Sequence, residues 1–145
     1  MPDPALSEDA ALVLALAGTA MPFADSTESE AEHWLRILRM HGEVGAAMQA
    51  LGVGEKPLKE HERPLGSQRF HRGGENVVEI VTAHAKGIAE RRGVSMVGTV
   101  DVLEAVMTVY GKFFDATLEA RGSTRDELLE RLSRAPEERS AARRR

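Results

Sequence analysis

The sequence predicts an all-α protein, and three observations support this prediction. Apolar residues recur at spacings of three and four along most of the chain, which is the period of one helix face. No segment alternates apolar and polar residues with period two, so a sheet is not expected. Related apolar stretches followed by glycine-terminated segments occur twice, and an internal repeat of this kind indicates a duplicated helical unit.

The first predicted helix begins after Ser7, whose side chain is suited to cap it. Glu8 and Asp9 follow, and negative charge is favourable in the first turn of a helix. Residues 10–20 are apolar on nearly every side of this helix. A helix without a polar face is typical of the interior, so we expect it to lie at the centre of the core.

A second helix is expected to begin near residues 28–30. One of its faces carries large apolar residues at helical spacing and is predicted to be buried: Trp34, Leu35 and Leu38. Gly42 is expected to end it. A short third helix over residues 44–51 then stops at Gly52, a residue suited to the left-handed position after a helix end.

The second half begins after residues 54–74, which mix proline and glycine with charged residues and are predicted to be a linker. A long helix is expected over residues 75–92, and Thr99 is predicted to cap the next one. The apolar faces of these two helices are predicted to be buried: Val77, Val81, Ala85 and Ile88 in the first, and Val102, Leu103, Val106 and Tyr110 in the second.

After an interruption at Gly111, a further helix is expected to run to Gly122. Residues 123–126 resemble a capping box and predict the start of a last helix. That helix carries leucines for the core: Leu128, Leu129 and Leu132. Residues 135–145 contain too few apolar side chains to pack and are predicted to be frayed.

Composition narrows the function classes. The chain has 145 residues, which suits one domain over residues 1–145. It contains no cysteine, so disulfides and thiolate chemistry are excluded, and we expect a cytoplasmic protein. The longest apolar run is far below the ~20 residues that cross a bilayer, so no membrane segment is expected. The histidines lack metal-ligand spacing, and we expect no metal or cofactor.

Charge is distributed unevenly along the chain. The formal net charge is -4, no Lys or Arg precedes Arg36, and the sequence ends in three arginines, residues 143–145. An acidic surface disfavours docking on nucleic acid, since phosphate contacts dominate that affinity. We therefore do not expect nucleic acid as the partner. The arginine-rich end leaves one alternative open: the protein could be a small helical regulatory protein that binds nucleic acid through this tail.

The two copies share motifs in the same order. The first copy contains Val13 to Ala17, Glu32-His33, Gly42-Glu43 and Gln49 to Gly52; the second contains Gly93, Val97 to Thr99, Leu103, Gly111, Leu118 and Gly122. This pattern resembles the Clp repeat domain at the N-terminus of Clp-type AAA+ unfoldases, over about residues 7 to 132. The resemblance implies two pseudo-symmetric repeats of about four helices each, over residues 7–53 and 75–134.

The family's domain receives substrates and adaptor proteins for an attached ATPase. This chain has no Gly-x-x-x-x-Gly-Lys-Ser/Thr phosphate loop, because Gly111-Lys112 is followed by Phe113. The resemblance therefore implies a non-catalytic module, not an enzyme, that binds proteins or peptides such as Clp substrates, adaptors or a Clp ATPase. It also leaves open a decoy that sequesters cyclic peptides directed at Clp proteins.

The resemblance also implies candidate binding residues. In some family members, a glutamate of a Thr-Glu-His motif in each repeat binds phosphoarginine, and a carboxylate suits a guanidinium ligand. By position, these residues are Glu32, next to His33, and Val100, next to Asp101. Because Val100 cannot accept hydrogen bonds, we expect phosphoarginine binding to be weak or confined to the first copy. The structural alternative is that Glu32 is an exposed first-turn carboxylate.

Phe113 and Phe114 are candidates for a hydrophobic groove, with core packing as the leading interpretation. Adjacent residues on a helix diverge by about 100°, so the two rings cannot be equally buried. We expect one of them to be exposed or at an interface, which would suit peptide binding.

Overall fold

The computed structural model describes residues 4–53 and 77–133. Of these residues, 78% are helical, and the all-α class predicted from the sequence is confirmed. The linker predicted over residues 54–74 and the frayed end predicted over residues 135–145 lie outside the described residues. In the part of the chain that is described, no helix is long and apolar enough to cross a membrane.

The elements follow one another in two series. The first series is β1 (Ala5–Leu6), α1 (Glu8–Ala20), a 3-10 turn (Met21–Phe23), α2 (Thr27–Arg39) and α3 (Gly42–Ala50). The second series is α4 (Val77–Arg91), β2 (Met96–Val97), α5 (Thr99–Tyr110), α6 (Lys112–Ala120) and α7 (residues 125–133). The predicted helices are all present, with boundaries shifted by a few residues.

A parallel pair of two-residue strands, β1 and β2, joins the two series. Ala5 lies opposite Met96, and the Ser7 N–H donates to the Val97 carbonyl at 2.9 Å. The expectation that the chain has no sheet is therefore wrong for this short pair, because two residues are too few to show a period-two pattern. The pairing fixes the start of α1 beside the start of α5, which is where the candidate site forms.

The prediction that α1 lies at the centre of the core is wrong. Only one side of α1 is buried: Ala10, Val13, Leu14 and Ala17. On the opposite side, Leu12 is 45% and Leu16 is 39% exposed. Alanine and isolated leucines are common on protein surfaces, so an apolar composition all round does not by itself show that a helix is enclosed.

The core lies around α2 and α5, which contact each other. The apolar faces predicted for these helices and for α4 are confirmed, since all their members are buried: Trp34, Leu35, Leu38, Val77, Val81, Ala85, Ile88, Val102, Leu103, Val106 and Tyr110. α2 also packs against α6, and α5 packs against α3 and α4. Large side chains at helical spacing predicted these faces because each helix has only one face that can hold them.

The helix caps agree with the sequence except at one position. The Ser7 hydroxyl accepts from the Ala10 N–H at 3.0 Å, as predicted. Thr124 and Glu127 form a reciprocal capping box at the start of α7, with both hydrogen bonds at 3.1 Å. Thr99, however, does not cap α5; its hydroxyl accepts from the Val44 N–H, in the first turn of α3, at 3.4 Å.

Candidate functional site

A groove of about 770 Å³ lies where the N-terminal ends of α1, α3 and α5 meet α7. The ends of the three helices contribute Ser7, Gly42 and Gly98 to its lining. The close approach of α3 and α5 depends on Gly42, because a Cβ atom there would lie 2.7 Å from the Thr99 hydroxyl oxygen. The groove therefore forms at the corner between α3 and α5, where Gly42 lets the backbone approach the Thr99 hydroxyl closely.

The lining combines apolar and charged side chains. The apolar members are Val94, Met96, Val100, Leu129 and Leu132, and the charged members are Asp9, Glu43, Arg92, Asp101 and Glu104. Binding sites for small molecules and peptide side chains usually pair an apolar wall with a few polar groups that set orientation. This composition suits an amphipathic ligand.

Two of the residues singled out from the sequence lie in this groove. Val100 is half-buried in its wall. Asp101 is 1% exposed, and its carboxylate is engaged within the chain. It accepts a hydrogen bond from the Gly98 N–H at 2.9 Å and pairs with the Arg92 guanidinium. These contacts hold the first turn of α5 in place, so Asp101 shapes the groove through the position of the backbone.

The other two, Glu32 and His33, lie on α2 and do not line the groove. The Glu32 carboxylate contacts two arginines of the same chain, Arg36 at 3.1 Å and Arg121 at 3.2 Å. The Arg121 side chain is 1% exposed and that of Glu32 is 18% exposed. Glu32 thus lies in the second turn of α2 and is largely buried, which differs from the exposed first-turn carboxylate considered as the structural alternative.

The contacts of Glu32 show what this carboxylate binds in the folded chain. The carboxylate pairs with guanidinium groups, as the residue type predicts, but these belong to Arg36 on α2 itself and to Arg121 at the end of α6. The buried Arg121 guanidinium occupies the inner side of the Glu32 carboxylate. A ligand guanidinium would have to displace it.

His33 is half-buried on α2. Burial lowers its pKa below the ordinary value, and the nearby Arg36 charge lowers it further; Glu32, Asp25 and Glu30 act in the opposite direction. Burial and the Arg36 charge both favour the neutral form of its imidazole. Among the described residues, no group of three or more His, Cys, Asp or Glu side chains is arranged to hold a metal ion.

Phe113 and Phe114 differ in burial, and neither lines the groove. Phe114 is fully buried in the core, whereas Phe113 is partly buried and packs against it. The ring of Phe114 is therefore a core side chain, and only Phe113 retains surface that a partner could contact.

A buried series of side-chain hydrogen bonds, which was not predicted from the sequence, connects α2 to α5. The Trp34 Nε1–H donates to the Tyr110 hydroxyl at 3.0 Å, and this hydroxyl donates to the Glu30 carboxylate at 2.6 Å. Burial raises the pKa of Tyr110 above its ordinary value, and the hydrogen bond to Glu30 raises it further. The sequence contained a signal, because Glu30 lies four residues before Trp34 and hence on the buried face.

No protein-family model matches the chain, and a search of the curated proteins finds no match.

Proposed function

We propose that this protein is a non-catalytic module that binds a protein or peptide segment, in the manner of the N-terminal domain of Clp-type unfoldases. Its partners in this proposal are Clp substrates, adaptors or a Clp ATPase in the cytoplasm. The groove at the starts of α1, α3 and α5 carries the proposal, because it is a concave surface with both apolar and charged walls.

The arrangement of the glycines supports a duplicated unit. The corner between α2 and α3 contains Gly42 with φ 65°, and the corner between α5 and α6 contains Gly111 with φ 55°. Gly52 follows α3 with φ 78°, and Gly122 follows α6 with φ 102°. A positive φ favours glycine, so positive-φ glycines at matching places in two series are what two copies of one unit would have.

The packing of the helices supports the same proposal. The second helix of each series packs against the third helix of the other, α2 against α6 and α5 against α3. The helix ends also meet, since a Cβ atom on Gly122 would lie 4.0 Å from the Gly52 carbonyl oxygen. A pseudo-twofold relation between the two described series of helices would account for both observations.

Under this proposal, the two ends of the molecule differ in their capacity for a ligand. At the first-copy position, Glu32 is held by Arg121. At the second-copy position, Val100 lies in the wall of the groove, and its apolar side chain cannot form an ion pair. We therefore expect one ligand per chain, bound at the Val100 end, and only weak phosphoarginine binding at Glu32.

A comparison of captured proteins tests the proposal. Immobilised wild-type protein is expected to enrich an unfoldase, an adaptor or unfolded client proteins, and Val100→Arg, which fills the groove with a charged side chain, is expected to lose them. Circular dichroism checks that the variant is folded. Equal enrichment by both proteins would contradict binding at the groove, and nucleic acid retained only at low salt would favour the alternative regulatory function.

A second titration tests the phosphoarginine proposal directly. A phosphoarginine peptide is titrated against wild type, Glu32→Ala and Val100→Glu. A loss of affinity in Glu32→Ala, with circular dichroism showing that the variant is folded, would support a role for Glu32 in spite of its internal partners. Equal affinity in wild type and Glu32→Ala would remove Glu32 from the binding site.

A further inference from the structure

We infer that the groove selects peptide segments in which arginine or lysine side chains alternate with apolar ones. This inference rests on the proposed binding function and adds the chemistry of the ligand. It is carried by the charges that line the groove and by the apolar surface between them.

The first step is the charge of the lining. Among the described residues, it contains four carboxylates and one cation, Arg92, with no lysine and no histidine. Arg92 pairs with Asp101, so these two charges offset each other. Even without Glu43, the carboxylates of Asp9 and Glu104 place two full negative charges at the groove.

The second step weighs the helix ends, which act in the opposite direction. Three helices begin at the groove, and each N-terminus is equivalent to roughly half a positive charge. Together they contribute at most about 1.5 positive charges, and this partial charge falls off within the first turn. The two carboxylates outweigh it, so the groove attracts cations more strongly than anions.

The third step is the apolar surface. Val100, Leu129 and Leu132 line the groove beside these charges, and Met96, which is 53% exposed, lies with them in the lining. A ligand made only of cationic side chains would leave this surface in contact with water. A segment with both types of side chain buries apolar area and pairs charge, and each contribution favours binding.

The experiment compares three labelled peptides of about eight residues. They share leucine at alternate positions and carry arginine, glutamine or glutamate at the others. We expect the arginine peptide to bind at least about fivefold more tightly than the glutamine peptide at low salt, and the glutamate peptide to bind most weakly. Fluorescence anisotropy measures the affinities, and the preference is expected to shrink as the salt concentration rises.

Charge variants assign the preference to the groove. Asp9→Asn with Glu104→Gln is expected to reduce the affinity for the arginine peptide about three- to tenfold. The matched control removes two exposed carboxylates elsewhere, Glu90→Gln with Glu119→Gln, and is expected to change affinity less than about twofold. A similar loss in both variants would show that the overall charge, and not the groove, sets the preference.

The outcomes separate this inference from the proposed function. If wild type binds all three peptides equally, the charge preference is overturned and the binding module stands. If wild type binds none of them, the preference is overturned, and the captured-protein comparison decides the proposed function alone.

Discussion

Replacing Glu32 with glutamine is expected to destabilise the fold strongly, although this position resembles a ligand-binding one. The change removes the negative charge 3.2 Å from the Arg121 guanidinium, whose side chain is 1% exposed. Removing one partner of a fully buried ion pair costs about 3–5 kcal/mol. Glu32 itself is 18% exposed and keeps some contact with water, so we expect about 2–4 kcal/mol.

A matched control uses the other arginine on the same carboxylate. The Arg36 side chain is 39% exposed, and an exposed i,i+4 pair contributes about 0.3–0.5 kcal/mol. Arg36→Ala is therefore expected to cost less than about 1 kcal/mol, well below Glu32→Gln. The two variants distinguish a buried contact from an exposed one at a single acceptor.

Urea unfolding measures these differences. The chain has one tryptophan, Trp34, which is fully buried on the same helix as Glu32, so its fluorescence reports the transition. Free energies of unfolding are compared between variants for which this free energy has the same dependence on urea concentration. A double-mutant cycle with Arg121→Met is expected to give a coupling energy of about 1–3 kcal/mol. The reasoning is refuted if Glu32→Gln costs no more than Arg36→Ala, or if the coupling energy is near zero.

Two further predictions concern the core and the glycine corner. The raised pKa of Tyr110 means that the folded protein keeps its phenol proton above pH ~10, where the unfolded chain loses it. The contribution of the Tyr110 proton to stability is complete below pH ~10, and above that pH the free energy of unfolding falls by about 1.4 kcal/mol per pH unit. Tyr110→Phe is expected to remove this slope. Tyrosinate absorbance reports Tyr110 alone, because the chain has one tyrosine. Gly42→Ala is expected to lower the melting temperature, at a cost above about 2 kcal/mol, because φ is 65° and the new Cβ would clash with Thr99. Gly18→Ala, inside α1 with nothing within 4 Å, is expected to raise the melting temperature, because it adds about 0.5–1 kcal/mol to the free energy of unfolding. A change of the same sign in both glycine variants would contradict this account.

The sequence predicted the helices whose apolar residues occupy one face. Trp34 and Leu38 leave α2 a single side that can enter the core, and Val102 and Val106 do the same for α5. The same reasoning failed for α1, where small and large apolar residues surround the helix. Periodicity contains no information about orientation when every side of a helix is apolar.

The contacts that shape the candidate site could not be predicted in this way. Thr99 caps α3 across a separation of 55 positions, and Arg121 reaches Glu32 from the other half of the chain. Local spacing defines the face on which a side chain lies, but it does not define the partner on another helix. Resemblance identified Glu32 as a candidate by position, and only the three-dimensional contacts reveal that its carboxylate is engaged within the chain.

The position of Arg121 separates stability from binding in this protein. A carboxylate beside a buried guanidinium contributes to stability only while the two remain paired, so it is poorly suited to exchange with a ligand. Asp9, by contrast, is exposed at the start of α1, where its loss has little effect on the fold but changes the charge of the groove. Glu32→Gln should therefore change unfolding with little effect on peptide affinity, and Asp9→Asn should do the reverse. If both variants changed both quantities in parallel, Glu32 and the groove would belong to one energetic unit, and the assignment of binding to the groove alone would fail.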